Sequence, residues 1–202
     1  SSSSDAVQVS EDGLVTALGY GSAEITATAA GGKTAACTVI VSNFTKYFDF
    51  GSADSPVAEG YIAADQSLYD AEKGFGWAEN EGIVTADRGA PDALRQDLVE
   101  QSSWGASNTF LVDLEDGLYR VSYICGDNDY TRGLMSIHSN GQEMAGGIVV
   151  KEKGTFNTGS FEVPVSGGQL ALEFRTDEGW TWYVNALEIV KLEEAEKTYS
   201  VT

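Results

Sequence analysis

From Gly126 to Gly141 the chain reads GDNDYTRGLMSIHSNG, and from Gly179 to Ile189 it reads GWTWYVNALEI. The first stretch gathers Asp127, Asn128, Asp129, Tyr130 and Arg132 ahead of an apolar strand pattern. The second gathers Trp180, Trp182, Tyr183 and Asn185. Aromatic faces beside planar polar groups are the chemistry of a hydroxylated ring ligand. The rings stack on its apolar side, while carboxylates, amides and guanidinium groups take its hydroxyls. Candidate stacking residues are Trp77, Trp104, Tyr130, Trp180 and Trp182. In a strand reading Trp180 and Trp182 point the same way, with Trp182 deeper in the core and Trp180 exposed. Trp77 lies in a glycine-flanked stretch, open to either burial or ligand contact.

Arg88 and Arg132 stand out among only 12 basic residues. An arginine beside aromatics can clamp a uronate carboxylate in bidentate fashion, or it can pair with one of the many acidic neighbours. Asp127 and Asn128 read either as turn residues or as hydroxyl acceptors. Asn185 interrupts an apolar strand, and a buried asparagine needs partners, so it ties down a loop or faces a ligand.

Catalytic chemistry has fewer supports. A Ser-His-Asp arrangement would have one possible base, His138, placed in a strand beside the Ser139-Asn140-Gly141 turn. Paired carboxylates for glycoside hydrolysis are cheap to find in a chain with 31 acidic residues, so acidity alone carries no such reading. The net charge of −19 repels nucleic acid and anionic membranes, and no basic stripe offsets it. It suits a soluble secreted protein. No apolar run approaches the roughly 20 residues that span a bilayer. Cys37 and Cys125 each sit in an apolar strand pattern, with no disulfide framework in their spacing.

The elements that must position these groups read as all-β. Glycine is abundant (23 residues), proline is scarce (3), and short runs rich in Val, Thr and aromatics alternate. Phe110, Val112 and Leu114 fall on one face of a strand, as do Leu170, Leu172 and Phe174. Asn140-Gly141 marks a hairpin. A weak helical pattern covers Asp92 to Gln101, and the stretch from Gly51 onward reads as a long irregular loop. The closing strand, with Leu187 and Ile189 inward, is expected beside the first one, near Tyr47. In residues 1–43, DG and GG turns separate alternating runs that put Cys37, Val39 and Val41 on an inner face. The chain opens on a serine run read as a linker remnant, and the charged residues 193–202 read as a linker tail.

Two resemblances follow from these strings. DGLVTALGYGSAEITATAAGGKTAACTVIV resembles the C-terminal half of a bacterial Ig-like family 2 repeat, which implies a spacer that cannot bury its inner face alone. FDFG, KGFGW, NTFLVDLEDGLYRVSYICGD, MSIHSNGQ and WYVNALEI, in that order over about residues 46–192, resemble a galactose-binding-like carbohydrate-binding module. The type is the one attached to rhamnogalacturonan acetylesterases and other pectin-degrading enzymes. This resemblance implies a β-sandwich jelly roll in residues 44–192 and non-catalytic binding of a pectic or related plant cell-wall polysaccharide. It also implies a bacterial, extracellular or cell-surface setting within a larger multi-modular protein. No hydrolase motif of the esterase relatives occurs in this sequence. Jelly-roll sugar modules often carry a structural calcium between first and last strands, and Asp49 and Glu188 are the carboxylates that would hold it there.

Overall fold

In a computed structural model the described residues are 7–10, 12–18, 21–29, 31–41, 45–89, 91–176 and 180–192. The serine run and the tail at 193–202 lie outside them. The chain divides into two units, Ser1–Asn43 and Phe44–Thr202.

The first unit consists of two antiparallel ribbons. β1 (Val7–Val9) pairs with β2 (Val15–Ala17), and β3 (Gly21–Thr28) pairs with β4 (Thr34–Val41). Among the residues of this unit whose burial is described, Val7 and Ala23 are the buried ones. Cys37, expected on an inner face, is an exposed free thiol. A two-stranded ribbon has no second layer to bury its apolar face, so alternation alone does not make an inside.

The second unit is a sandwich. Its strands are β5 (Thr45–Phe50), β6 (Ile62–Ala64), β7 (Phe75–Trp77), β8 (Ile83–Asp87), β9 (Asp97–Gln101) and β10 (Asn108–Asp113). They are followed by β11 (Gly117–Asp127), β12 (Arg132–Ser139), β13 (Gln142–Val150), β14 (Thr155–Val165), β15 (Gln169–Thr176), β16 (Tyr183–Val184) and β17 (Ala186–Lys191). One five-stranded sheet runs β13-β12-β15-β10-β7, the other β14-β11-β17-β5-β6, and β16-β9-β8 forms a third, smaller sheet. The described residues contain no helix.

Period-two alternation explains the layering. Phe110, Val112, Leu170, Leu172 and Phe174 from one sheet meet Phe48, Phe50, Val121, Leu187 and Ile189 from the other, all buried in one core. Phe110 is the hub, with ring centroids 5.0 Å from Phe50, 5.1 Å from Trp77 and 5.3 Å from Phe48. The closing strand β17 lies antiparallel to β5, with Leu187 opposite Phe48. The β12–β13 hairpin turns on Asn140 (φ 51°) and Gly141 (φ 76°), a left-handed pair that asparagine and glycine adopt at low cost.

Two local expectations give way. Residues 92–101 form a turn and then strand β9, because Leu98 and Val99 are fully buried and the strand is hydrogen-bonded on both sides, by β8 and β16. Packing overrides a weak helical propensity. The long stretch after Gly51 is not featureless either, since β6 pairs in parallel with β5 and β7 extends the sheet beside β10.

Candidate functional site

Asp127 is the last residue of β11 and Arg132 the first of β12, so the short connection between them carries Tyr130 at one end of the sandwich. Asp127 is fully buried there. Its Oδ1 accepts from the backbone amides of Asp129 (2.8 Å) and Tyr130 (3.1 Å), an Asx-type arrangement that fixes the loop. The same oxygen accepts from Arg88 Nε at 3.1 Å, and Oδ2 accepts from Arg132 Nε at 2.8 Å and Arg88 Nη2 at 3.3 Å. Arg132 Nη2 also donates to Asp127, and its Nη1 donates to Glu100. Glu100 accepts from Arg88 Nη2 as well, at 3.4 Å. Two guanidinium groups and two carboxylates thus form a closed lattice drawn from the end of β8, from β9 and from the β11–β12 connection.

Both arginines are nearly enclosed, with 14% (Arg88) and 12% (Arg132) of their side-chain surface exposed. Burial by itself raises the Asp127 carboxyl, but hydrogen bonds from Arg88, the Asp129 amide and Arg132 outweigh it and hold the group below the usual carboxylate range. Asp127 is therefore charged at neutral pH and is the shared acceptor of both guanidinium groups.

Tyr130 stands on this lattice with 56% of its surface exposed. The Arg88 guanidinium lies 4.9 Å from its ring centroid, Arg132 5.8 Å and Lys153 Nζ 5.7 Å, so three cations orient the ring. Trp180 is 49% exposed and lies against Gly133, where any Cβ would fall 1.9 Å from the indole Cγ. Gly133 therefore acts as a seat for Trp180, directly after Arg132. Trp104, 78% exposed, joins the same end through the Gly105 amide, which donates to the Trp180 carbonyl at 3.0 Å.

The remaining sequence candidates sort by burial. Trp77 is wholly buried in β7, stacked on the equally buried Trp182 at 4.9 Å, with Nε1 donating to the Asp65 carbonyl. It has no face to offer a ligand, and the glycines beside it serve the backbone rather than exposure. Gly76 (φ 140°), for example, leaves no room for a side chain against Leu68 and Tyr69. Asn185 is also fully buried, at the corner where the chain leaves β16 for β17. Its Oδ1 accepts from the Gly126 amide at 2.7 Å and its Nδ2 donates to the Asp97 carbonyl at 2.7 Å. It ties the site loop to β9 from beneath, which is the first of the two roles open to it. Asn128 is half-buried beside Gly154. His138 shares a hydrogen bond with the buried Ser136 at 3.0 Å, on β12.

Glu100 and Lys153 were not singled out by sequence. Glu100 lies in a strand read as helical, and Lys153 in a turn 23 positions after Tyr130. No pattern within the segment marks Glu100, whose place is set by the pairing of β9 with β8 and β16, opposite Val84 and Tyr183.

For the expected calcium pair, Asp49 and Glu188 lie on the same face of adjacent strands, diagonal to one another across the β5–β17 register. Glu188 accepts a hydrogen bond from the Tyr61 hydroxyl, and Asp49 Oδ2 accepts the Ala58 amide at 2.8 Å. Asp49 Oδ1 is buried without a partner. Among the described residues no group of three or more His, Cys, Asp or Glu comes together as a ready metal cluster.

Comparison with known proteins bears on what this fold is. The profile of the family described as beta-agarase/YXIM esterase-like, galactose-binding domain-like matches residues 46–190. Beta-agarase A of Zobellia galactanivorans is 29% identical over 147 residues, covering 72% of this chain and 26% of that protein. The uncharacterized esterase YxiM of Bacillus subtilis is 32% identical over 152 residues, covering 73% of this chain and 37% of that protein. The crystal structure of the Bacillus subtilis protein superposes with a TM-score of 0.59 at 31% identity, over 73% of this chain and 40% of that one. A Bacteroides uniformis beta-glucuronidase 2 structure superposes with a TM-score of 0.58 over 92% of this chain and 25% of its own, but at 11% identity this shows the shared fold alone. The chain spans about a quarter to two fifths of the length of these relatives.

Proposed function

The chain belongs to the beta-agarase/YXIM esterase-like, galactose-binding domain-like family, and on that premise we propose that it is a non-catalytic carbohydrate-binding module of an extracellular bacterial polysaccharide-degrading protein. It is a carbohydrate-binding-like domain related to the modules of agarases and esterases. The observation that carries the proposal is the exposed aromatic set Tyr130, Trp180 and Trp104 beside a nearly enclosed, hydrogen-bonded Arg88–Asp127–Arg132–Glu100 lattice. Rings oriented by a hydrogen-bonded polar base stack on a pyranose with less to order on binding. One shallow site of this kind gives a Kd on the order of micromolar to millimolar. The 1–43 unit serves as an Ig-like spacer in this reading, and the module holds its parent protein near the polymer.

The ligand is an acidic polymer of the pectic class. Asp127 and Glu100 pair with Arg88 and Arg132, which leaves Lys153 as a further cation beside Tyr130 in a chain whose net charge is −19. Lys153 is exposed and makes no ion pair among the described residues, so it is the cation free to meet a uronate. A second reading, a neutral galactan, is favoured by the internal pairing of both arginines and by the name of the beta-agarase relative.

Affinity electrophoresis of the full chain against homogalacturonan, rhamnogalacturonan, agarose, galactan and xylan distinguishes them. Retardation by the uronate polymers, weakened about tenfold in Lys153→Ala, is the expected result. Retardation by agarose or galactan, unchanged in Lys153→Ala, establishes the second reading. A chain that no polymer retards refutes both.

A further inference from the structure

On the sheet β14-β11-β17-β5-β6, the residues that alternate with the core positions Phe48, Val121, Leu187 and Ile189 form the outer face, and strand register lines them up in rows across the strands. Thr45, Val190, Arg120 and Glu162 make one row, ended by an Arg120–Glu162 ion pair at 3.2 Å. Tyr47, Glu188, Ser122 and Ser160 make the next, and Asp49, Ala186, Ile124 and Thr158 the one after it. Beyond these, Phe156 lies over Gly126, where a Cβ would fall 2.2 Å from its ring, and the Arg95 guanidinium stands 5.8 Å from the Phe156 ring centroid. Side chains are thus long at one end of the face and aromatic at the other, but short across β11, β17 and β14 between them. A cavity of about 220 Å³ opens there, with Ser122, Ile124, Thr158, Ala186 and Glu188 in its lining.

The lining joins an apolar floor, Ile124 and Ala186, to three oxygen-bearing groups, Ser122, Thr158 and Glu188. Glu188 is held in place from behind. The Tyr61 hydroxyl donates to its Oε1, and the Tyr61 ring packs on Tyr47 with centroids 5.3 Å apart. Burial, and then the Glu188 carboxylate, push the Tyr61 phenol up, so it stays a donor. No other hydrogen bond and no ion pair of Glu188 occurs among the described residues, which leaves Oε2 as an acceptor for a ligand. Apolar surface bordered by hydroxyl and carboxylate oxygens matches a pyranose, whose C–H face takes the floor and whose hydroxyls meet the oxygens. The volume lies below the roughly 300 Å³ at which pockets for drug-sized ligands begin, so it takes one ring rather than several. A uronate would bring its carboxylate against Glu188 in a chain of net charge −19.

We propose that this trough on the outer sheet face is a second saccharide site, separate from the aromatic end, which takes a neutral sugar ring on Ile124 and Ala186 with Ser122, Thr158 and Glu188 as its hydroxyl partners. Glu188 sets the preference, because it accepts hydroxyls and repels carboxylates. The two sites then differ in charge: Lys153 stands beside Tyr130 at one, and Glu188 lines the other. A module with two weak sites on one body gains avidity on a polymer that reaches both. The inference rests on the reading of the chain as a saccharide-binding module, and not on which polymer the aromatic end takes.

The test is a titration of the isotope-labelled full chain, followed through its amide chemical shifts, with galactotetraose and xylotetraose as neutral probes and trigalacturonate as the charged one. A neutral probe is expected to shift the amides of Ser122, Ile124, Thr158, Ala186 and Glu188 with a Kd on the order of millimolar, while trigalacturonate leaves them unmoved. Ser122→Leu fills the floor, so it abolishes these shifts and keeps any around Tyr130 and Trp180. Should that variant fail to fold, Thr158→Leu on the edge strand β14 is expected to do the same. Glu188→Gln keeps an acceptor for Tyr61 and is expected to admit trigalacturonate; continued exclusion there overturns the role given to the charge. Shifts confined to the aromatic end overturn this inference alone, whereas no shift anywhere overturns it together with the reading it rests on. Sheet-face shifts that survive both leucine variants, or trigalacturonate bound on that face as tightly as the neutral probes, overturn it as well.

Discussion

Asp127→Asn keeps the shape of the side chain and removes its charge, which makes it the sharpest probe of the lattice. The substituted side chain can still accept the amides of Asp129 and Tyr130 through Oδ1, because both bonds use the oxygen that an amide retains. An amide nitrogen then replaces Oδ2, the acceptor of Arg132 Nε and Nη2 and of Arg88 Nη2, so that donors face donors. Glu100 alone is left to balance two arginines. Breaking one side of a buried ion pair costs on the order of 3–5 kcal/mol, and the small residual exposure of both arginines favours the lower end, about 3 kcal/mol. For a domain of this size that is a fall in Tm of roughly 6–12 °C. The assay is urea and thermal unfolding of both proteins across pH 3–8. The Asp127 carboxyl is held low in the fold, so it contributes stability above the unfolded carboxylate range near pH 4 and loses it as pH falls through the lower folded value. The variant lacks this part of the acid slope, so the two Tm curves converge toward pH 3. A loss below about 1 kcal/mol at pH 7, or a gap that persists undiminished at pH 3, would refute the buried-lattice account. Adding Arg132→Met to the variant is expected to recover part of the loss by removing the uncompensated cation.

Gly133→Ala tests the seat of Trp180: the new methyl must displace the indole, so polymer affinity falls about tenfold, while a backbone outside the left-handed region tolerates alanine with a Tm change of only a few degrees. Unfolding and affinity electrophoresis read these separately, and unchanged affinity removes Trp180 from the site. Asn185→Ala leaves the Gly126 amide without its acceptor and the Asp97 carbonyl without its donor, at a cost of about 2–4 kcal/mol, measured by urea unfolding.

Several features were legible in the sequence because they are local. Alternation put Phe110, Val112, Leu170, Leu172 and Phe174 on inward faces, Asn140-Gly141 marked its hairpin, and the closing strand fell beside the first. Asp127, Tyr130 and Arg132 could be grouped because the ends of that run are five positions apart and a tight connection keeps them together. Tertiary structure decided the rest. Arg88 reaches Asp127 across 39 positions and Glu100 reaches Arg132 across 32, contacts set by the pairing of β8, β9 and β16 rather than by any pattern within one segment. Trp77 and Trp180 are the same residue type beside glycines, yet one is stacked in the core on Trp182 and the other is half exposed on Gly133. Side-chain periodicity tells which way a residue points from its own strand. Whether a second layer stands there to cover it, or a charge from another strand stands there to pair with it, depends on chain closure over long separations, and the sequence of one segment does not contain that.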